Sequence, residues 1–166
     1  MDYRLRSVTA ADEAWQFMIY ASTRADELVL TGWPPEQCQA FTQQQHHAQQ
    51  QHYRRHFPAS SCHLILVDGE IAGRLWVDER PERLHILDIA LLPAWRGRGL
   101  GTRCLLDLAT QAGGRALSIQ VEIHNPARRL YERLGFRVTG DAGASWRMDW
   151  CAGALSAKIA QVAGGP

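Results

Sequence analysis

No long apolar run, no excess of one charge and no paired cysteines mark this chain, and each absence removes a class of protein. Nothing approaches the ~20 apolar residues that a membrane-spanning helix needs, and Met1-Asp2-Tyr3-Arg4-Leu5-Arg6 lacks the apolar core of a secretory leader. Lysine and arginine number 18 against 17 aspartate and glutamate, a net charge of +1, which argues against a nucleic-acid surface as the main function. Cys38, Cys62, Cys104 and Cys151 form no C-x-x-C pair and show no metal-ligand spacing. They read as reduced, mostly buried thiols, with no metal site expected. There is no internal repeat and no second domain in 166 residues, a length that suits one domain with a real core. The expectation is a soluble cytoplasmic protein with neither membrane nor nucleic acid as partner.

What is present is concentrated between Leu84 and Phe136. The strand-like segment Leu84-His85-Ile86-Leu87-Asp88-Ile89-Ala90-Leu91 breaks at Pro93 and passes through Arg96-Gly97-Arg98-Gly99-Leu100-Gly101-Thr102 into a helix. Alternate glycines let backbone amides approach and converge on an anion, and the helix N-terminus adds partial positive charge at the same place. That is a phosphate or pyrophosphate site. It is not a P-loop, because no lysine lies near it, and neither glycine register completes G-x-G-x-x-G. Arg96-x-x-Gly99-x-Gly101 instead resembles the R/Q-x-x-G-x-G/A coenzyme A loop of the GNAT superfamily of N-acetyltransferases. A second stretch, Asn125-Pro126-Ala127-Arg128-Arg129-Leu130-Tyr131-Glu132-Arg133-Leu134-Gly135-Phe136, resembles that family's Asn-x-x-Ala-x-x-Leu-Tyr-x-x-x-Gly-Phe region from Ala127 onward, with Asn125 one residue too close. The two lie in this order and about 25 residues apart, as one helix and one strand require.

The remaining pattern gives a mixed α/β chain. Tyr3 to Val8 alternates as a first strand. Thr9 and Asp12 form a weak capping box before a helix carrying Ala11, Trp15, Met18 and Ile19. Thr31 to Pro35 breaks the chain, and a second helix spans Glu36 to His56. That helix is crowded with glutamine and histidine. It reads as a solvated polar face, with His52 and His56, four apart, as a weaker metal-pair alternative. Cys62–Val67 and Ile71–Val77 form a hairpin about Asp68-Gly69. Leu84–Leu91 is a central strand, and a helix follows the glycine loop to Gly113. Ala116–Val121 is the next strand. Asn125 is placed as N-cap with Pro126 at the first helical position. Phe136–Thr139 and Ser145–Trp150 close the sheet. Residues 151–166 form a tail, either a short helix or frayed.

The resemblance implies a single-domain acyl-CoA N-acyltransferase fold over residues 1–150, an α/β domain with a central mixed, partly splayed β-sheet flanked by helices. It implies acetyl-CoA as co-substrate and a primary amine of a small molecule or peptide as acceptor. Backbone amides from Arg96 through Gly97, Arg98, Gly99, Leu100, Gly101 and Thr102 would bind the pyrophosphate, with the Arg96 or Arg98 side chain adding charge. The strand edge at Ile89, Ala90 and Leu91 would pair with the pantetheine arm. Asn125 would contact that arm or cap the helix. Tyr131 falls where the family carries its general acid, a phenol that holds its proton at neutral pH. For the general base Asp88 is named first, with His85, Glu122, His124 or a water chain as alternatives. Alternation puts His85 and Asp88 on opposite strand faces. A non-catalytic acyl-CoA sensor is the competing class, and a homodimer is compatible with both.

Overall fold

The structure is a computed structural model and describes residues 1–141 and 143–150. The expected tail, with Cys151, lies outside the described residues. Seven strands form one mixed sheet: β1 (Arg4–Ser7), β2 (Ser61–Val67), β3 (Glu70–Glu79), β4 (Arg83–Leu91), β5 (Ala116–Glu122), β6 (Phe136–Asp141) and β7 (Ser145–Trp150). Their order is β1-β2-β3-β4-β5-β7-β6. The helices are α1 (Glu13–Val29), α2 (Pro35–His56), α3 (Leu100–Ala112) and α4 (Arg128–Leu134). No helix among the described residues is long and apolar enough to cross a membrane.

The chain divides into two compact units. The first comprises Met1–Trp76 and Ile89–Arg98. Its core joins Ile19 of α1 to Leu64 and Leu66 of β2 and Ala90 of β4, with Val8, Ile71 and Leu92 packed around them. β1 is an exposed edge strand, antiparallel to β2 from Arg4↔Leu66 to Ser7↔His63. The capping acid is present but serves a 3-10 turn at Ala10–Asp12, so α1 itself starts at Glu13. Asp12 accepts from the Thr9 amide at 2.9 Å and from both Arg6 guanidinium Nη atoms at 2.9 Å.

The Gln/His-rich helix presents the expected solvated polar face at Gln43, Gln44, Gln45, His47, Gln51, His52 and His56, but one stripe of it is buried. Thr42, His46 and Gln50, spaced by four, are buried along one stripe of α2. They meet buried polar and aromatic partners: Arg74 of β3, only 1% exposed, reaches Gln49 at 3.0 Å and His46 at 3.5 Å. The rings of Phe17 and Tyr20 lie 5.8 and 5.2 Å from that of His46. The His52 and His56 rings are 4.4 Å apart, and no group of three metal-ligating side chains occurs among the described residues. Of the three described cysteines only Cys104 is buried, so the mostly buried thiols expected from sequence are corrected to one buried and two half-buried.

The second unit comprises Val77–Asp88 and, among the described residues, the chain from Gly99 to Trp150. Here β4 runs parallel to β5 from Arg83↔Ala116 to Ile86↔Ile119, and Leu87 to Leu91 lie past that last pair. β7 is antiparallel to both β5 and β6, with a bulge between Val138 and Gly140. Leu84, Ile86, Leu117 and Ile119 share one face and are all nearly fully buried. The Trp150 indole, opposite Leu117, donates to the Leu134 carbonyl at 2.9 Å, which seats the end of α4 on that same face.

Two strand details bear on function. Arg80 and Arg83 exchange backbone bonds of 2.8 and 3.3 Å across the Pro81-Glu82 turn, a register that sets Asp78 opposite His85. Farther along, the Leu92 amide donates to the Ala72 carbonyl, one residue out of that register. β4 therefore carries an extra residue, a bulge. Gly73 accommodates it, since a Cβ there would collide with the Ala90 carbonyl oxygen and lie 2.8 Å from Leu91 Cδ2.

Candidate active site

The glycine loop begins where β4 ends. Pro93–Trp95 make one 3-10 turn, closed by the Trp95 amide on the Leu92 carbonyl at 2.9 Å. Gly97 and Gly99 then take φ of +68° and +83°, backbone that side-chain-bearing residues rarely adopt. Gly99 is the N-cap of α3 and offers no side chain to its first amides. Those amides are left for an external acceptor. Leu100, Gly101 and Thr102 belong to the first turn of α3, not to the loop as expected from sequence. A Cβ on Gly97 or Gly99 would meet nothing within 4 Å, so space is open above both.

The loop arginines are exposed but bonded to nearby backbone. Arg96 Nε donates to the Leu91 carbonyl at 2.8 Å, and its Nη2 reaches the Ser22 carbonyl and hydroxyl, both at 3.1 Å. Arg98 lies 4.8 Å over the Trp95 ring and contacts the Ala94 carbonyl at 3.4 Å. All these acceptors are uncharged.

Tyr131 sits on α4, which ends at Gly135 with φ of +106°. Its ring is 5% exposed and packs edge-on against Phe136 at 6.1 Å. Burial, and then the carboxylate of Asp88, push its phenol well above the ordinary value, so it holds its proton throughout the neutral range. Asp88 follows Ile86 by two residues on β4 and therefore shares the face on which α4 is seated. The Asp88 carboxylate therefore lies on the same side of the sheet as Tyr131 and within electrostatic reach of its phenol.

His85 points to the other face, as alternation requires. Its Nδ1 lies 2.6 Å from the hydroxyl of Ser118, its partner across the parallel ladder. Ser118 in turn faces Asp149 on β7, and Asp149 faces Arg137 on β6. One polar rung, Asp78-His85-Ser118-Asp149-Arg137, therefore crosses five strands. Burial first, then the charges of Arg83 and Arg147, hold the imidazole down to about 4 against the opposing pull of Asp78 and Asp149. It is neutral at pH 7.

The other sequence candidates are placed apart from this. Glu122 ends β5, and His124 follows in an exposed turn, so the strand does not continue far enough for them to share a face. The Asn125 cap is also corrected. α4 starts at Arg128 with Ala127 as N-cap, while the Asn125 side chain accepts from the Ala127 amide at 2.9 Å and forms a turn ahead of the helix. The short spacing from Asn125 to Ala127 made that turn. Sequence reasoning missed Ser22 and Ser118, whose roles come from contacts 74 and 33 residues away in the chain. A cavity of about 270 Å³ lined by Val8, Gln16, Phe57, Ser60, Cys62 and Trp76 among others includes none of the predicted site residues.

A strand that ends in a glycine loop ahead of a helix, followed by a strand and a helix with a buried tyrosine, is the arrangement of the acyl-CoA N-acyltransferase fold. The PaiA N-acetyltransferase of Thermoplasma acidophilum, solved in complex with coenzyme A, shares this fold with a TM-score of 0.66 at 13% identity, over 90% of this chain and 99% of that one. The profile of the Acetyltransferase (GNAT) family matches residues 25–136, and the chain belongs to that family. It is similar to the mycothiol acetyltransferase of Corynebacterium glutamicum, 38% identical over 112 residues, or 64% of this chain and 37% of that one. It is also similar to a Bacillus subtilis protein provisionally named as a [ribosomal protein bS18]-alanine N-acetyltransferase, 31% identical over 48% of this chain and 56% of that one. The matched stretch spans well under two thirds of either relative.

Proposed function

We propose that the protein transfers the acetyl group of acetyl-CoA to a primary amine of a small molecule or peptide. The observation that carries this is the glycine loop and the first turn of α3: open space over two left-handed glycines, α3 amides with no side-chain cap, and the Arg98 side chain in the same loop. That combination suits a pyrophosphate. Ile89, Ala90 and Leu91, beyond the last β4–β5 pair, offer strand edge to the pantetheine arm. The acetyl thioester supplies the electrophilic carbonyl. The amine nitrogen forms the new bond to that carbon, the carbon–sulfur bond breaks, and the sulfur leaves with its electron pair.

Tyr131 gives its proton to that sulfur. A phenol raised this far would be a poor acid toward a hydrated thiolate. A thiolate stripped of water beside it has its own basicity raised by the same desolvation, which brings the two together. Asp88, within electrostatic reach of the phenol, accepts the proton lost by the amine, directly or through water. Family relatives named for mycothiol and for an alanine of ribosomal protein bS18 keep both acceptor classes open.

The test is thermal unfolding with acetyl-CoA, with ATP and NAD as controls. A ligand at ~100 times its dissociation constant stabilises by about 2.7 kcal/mol. A shift specific to acetyl-CoA, followed by amine-dependent release of free thiol, supports the assignment. No shift, or a larger one with a nucleotide, sinks it.

A further inference from the structure

We propose that Arg96 is a positioning residue: its guanidinium clamps the entry of the glycine loop to α1 and to the end of β4. This rests on the reading of that loop as the acetyl-CoA pyrophosphate site. The clamp has three bonds, to Leu91 O at 2.8 Å and to Ser22 O and Oγ at 3.1 Å each. Each acceptor is itself fixed. The Ser22 hydroxyl donates to the Ile19 carbonyl at 2.7 Å, which commits its proton and leaves its lone pairs for Arg96. Ile19 is fully buried in the core, so Ser22 is tied to a rigid part of α1. On the other side, Leu92, next to Leu91, is held to β3 through its amide on Ala72.

The fork of the guanidinium explains why arginine stands here. Two of its nitrogens satisfy acceptors from two different elements in one plane, a geometry a lysine ammonium cannot copy. Arg96 is also the last residue before Gly97 turns to positive φ, so the clamp fixes where that turn begins. The side chain therefore holds the amide cradle in its binding shape before the ligand arrives. Preorganisation of that kind appears as affinity for the cofactor, because less ordering remains to be done on binding.

The experiment is a double-mutant cycle on Ser22 and Arg96, read as KM for acetyl-CoA, kcat and the acetyl-CoA thermal shift. Ser22→Ala removes one clamp bond and no group that meets a phosphate. It is expected to raise KM for acetyl-CoA about 5-fold with kcat nearly kept. Arg96→Ala is expected to raise it about 30-fold or more, and Arg96→Lys to recover little despite keeping the charge. In the Arg96→Ala background, Ser22→Ala is expected to add nothing. Two outcomes overturn the clamp: additive effects of the two substitutions, or an Arg96→Lys variant equal to wild type, which would make Arg96 a point charge on the ligand. If wild type itself shows no acetyl-CoA shift, the loop reading fails and the clamp with it. A shift in wild type with additive variants removes the clamp alone.

Discussion

Acidification should destabilise this protein through His85 well before its carboxylates titrate. The imidazole has an ordinary value of 6.5 and is held to about 4 in the fold by burial between Arg83 and Arg147. A depressed folded value means that the unfolded chain binds the extra proton first. The stability is fully present above 6.5, falls as the pH drops below it, and stops falling below about 4. The whole separation corresponds to about 3 kcal/mol, and the part lost between pH 7 and pH 5 to ~2 kcal/mol. That is a large share of the ~5–15 kcal/mol typical of a domain. The perturbation is His85→Asn, whose amide keeps a partner for the Ser118 hydroxyl but cannot take up the proton. Removing ring atoms leaves a small cavity and costs about 1–2 kcal/mol at pH 7, so the readout is the pH slope and not the absolute value. Urea unfolding at pH 7 and pH 5 should show wild type losing ~2 kcal/mol more than the variant over that interval. His63, also lowered by burial, titrates in both proteins and cancels. Asp12, whose carboxylate Arg6 and Thr9 hold well below its ordinary value, loses its contribution only below about pH 4. Equal slopes in wild type and variant would refute a neutral buried His85.

Further tests address the site and the bulge. Tyr131→Phe should lower kcat by about 100-fold or more while leaving the acetyl-CoA thermal shift in place, and unchanged turnover would remove the phenol from the mechanism. Asp88→Asn should leave the acetyl-CoA thermal shift in place while lowering turnover, and turnover equal to wild type would remove Asp88 from the mechanism. If Asp88 is the base, the acidic limb of the pH–rate profile disappears with it. Gly73→Ala should cost more than about 2 kcal/mol in urea unfolding, because the new Cβ strikes the Ala90 backbone rather than a movable side chain. Gly99→Ala should cost about 1 kcal/mol from its left-handed backbone alone, whereas Gly101→Ala, inside α3, should gain about 0.5 kcal/mol from helix propensity. A stability loss from Gly101→Ala equal to that from Gly99→Ala would contradict this placement of the helix start.

Element order and the glycine loop ahead of α3 were legible in the chain itself because they rest on local rules. Periodicity separates Leu84–Leu91 from the helix after it, and Arg96-x-x-Gly99-x-Gly101 needs no distant residue to be recognised. Tyr131 was found by motif, and the opposite facing of His85 and Asp88 followed from strand alternation alone. Element starts were read less well. Thr9 caps where its signal places it, with a 3-10 turn ahead of α1, whereas the Asn125 cap and the Gly101 loop signal lie one to two residues away from where the backbone caps α4 and starts α3.

What the sequence by itself determined is thus the sheet-and-helix order, the glycine loop and the tyrosine that follows it. Only the tertiary structure decided the rest. It buried one stripe of a glutamine- and histidine-rich helix, with His46 against Arg74, and left the rest of that helix to water as composition indicated. It joined His85 to Ser118 in a rung across five strands, and it turned Arg96 from a free charge into a link between Ser22 and Leu91. Each of these depends on groups tens of residues apart meeting across a ladder or a packed face. Local propensity carries no information about such meetings, because the energy that selects them, burial with hydrogen bonds satisfied, exists only once both partners are in place.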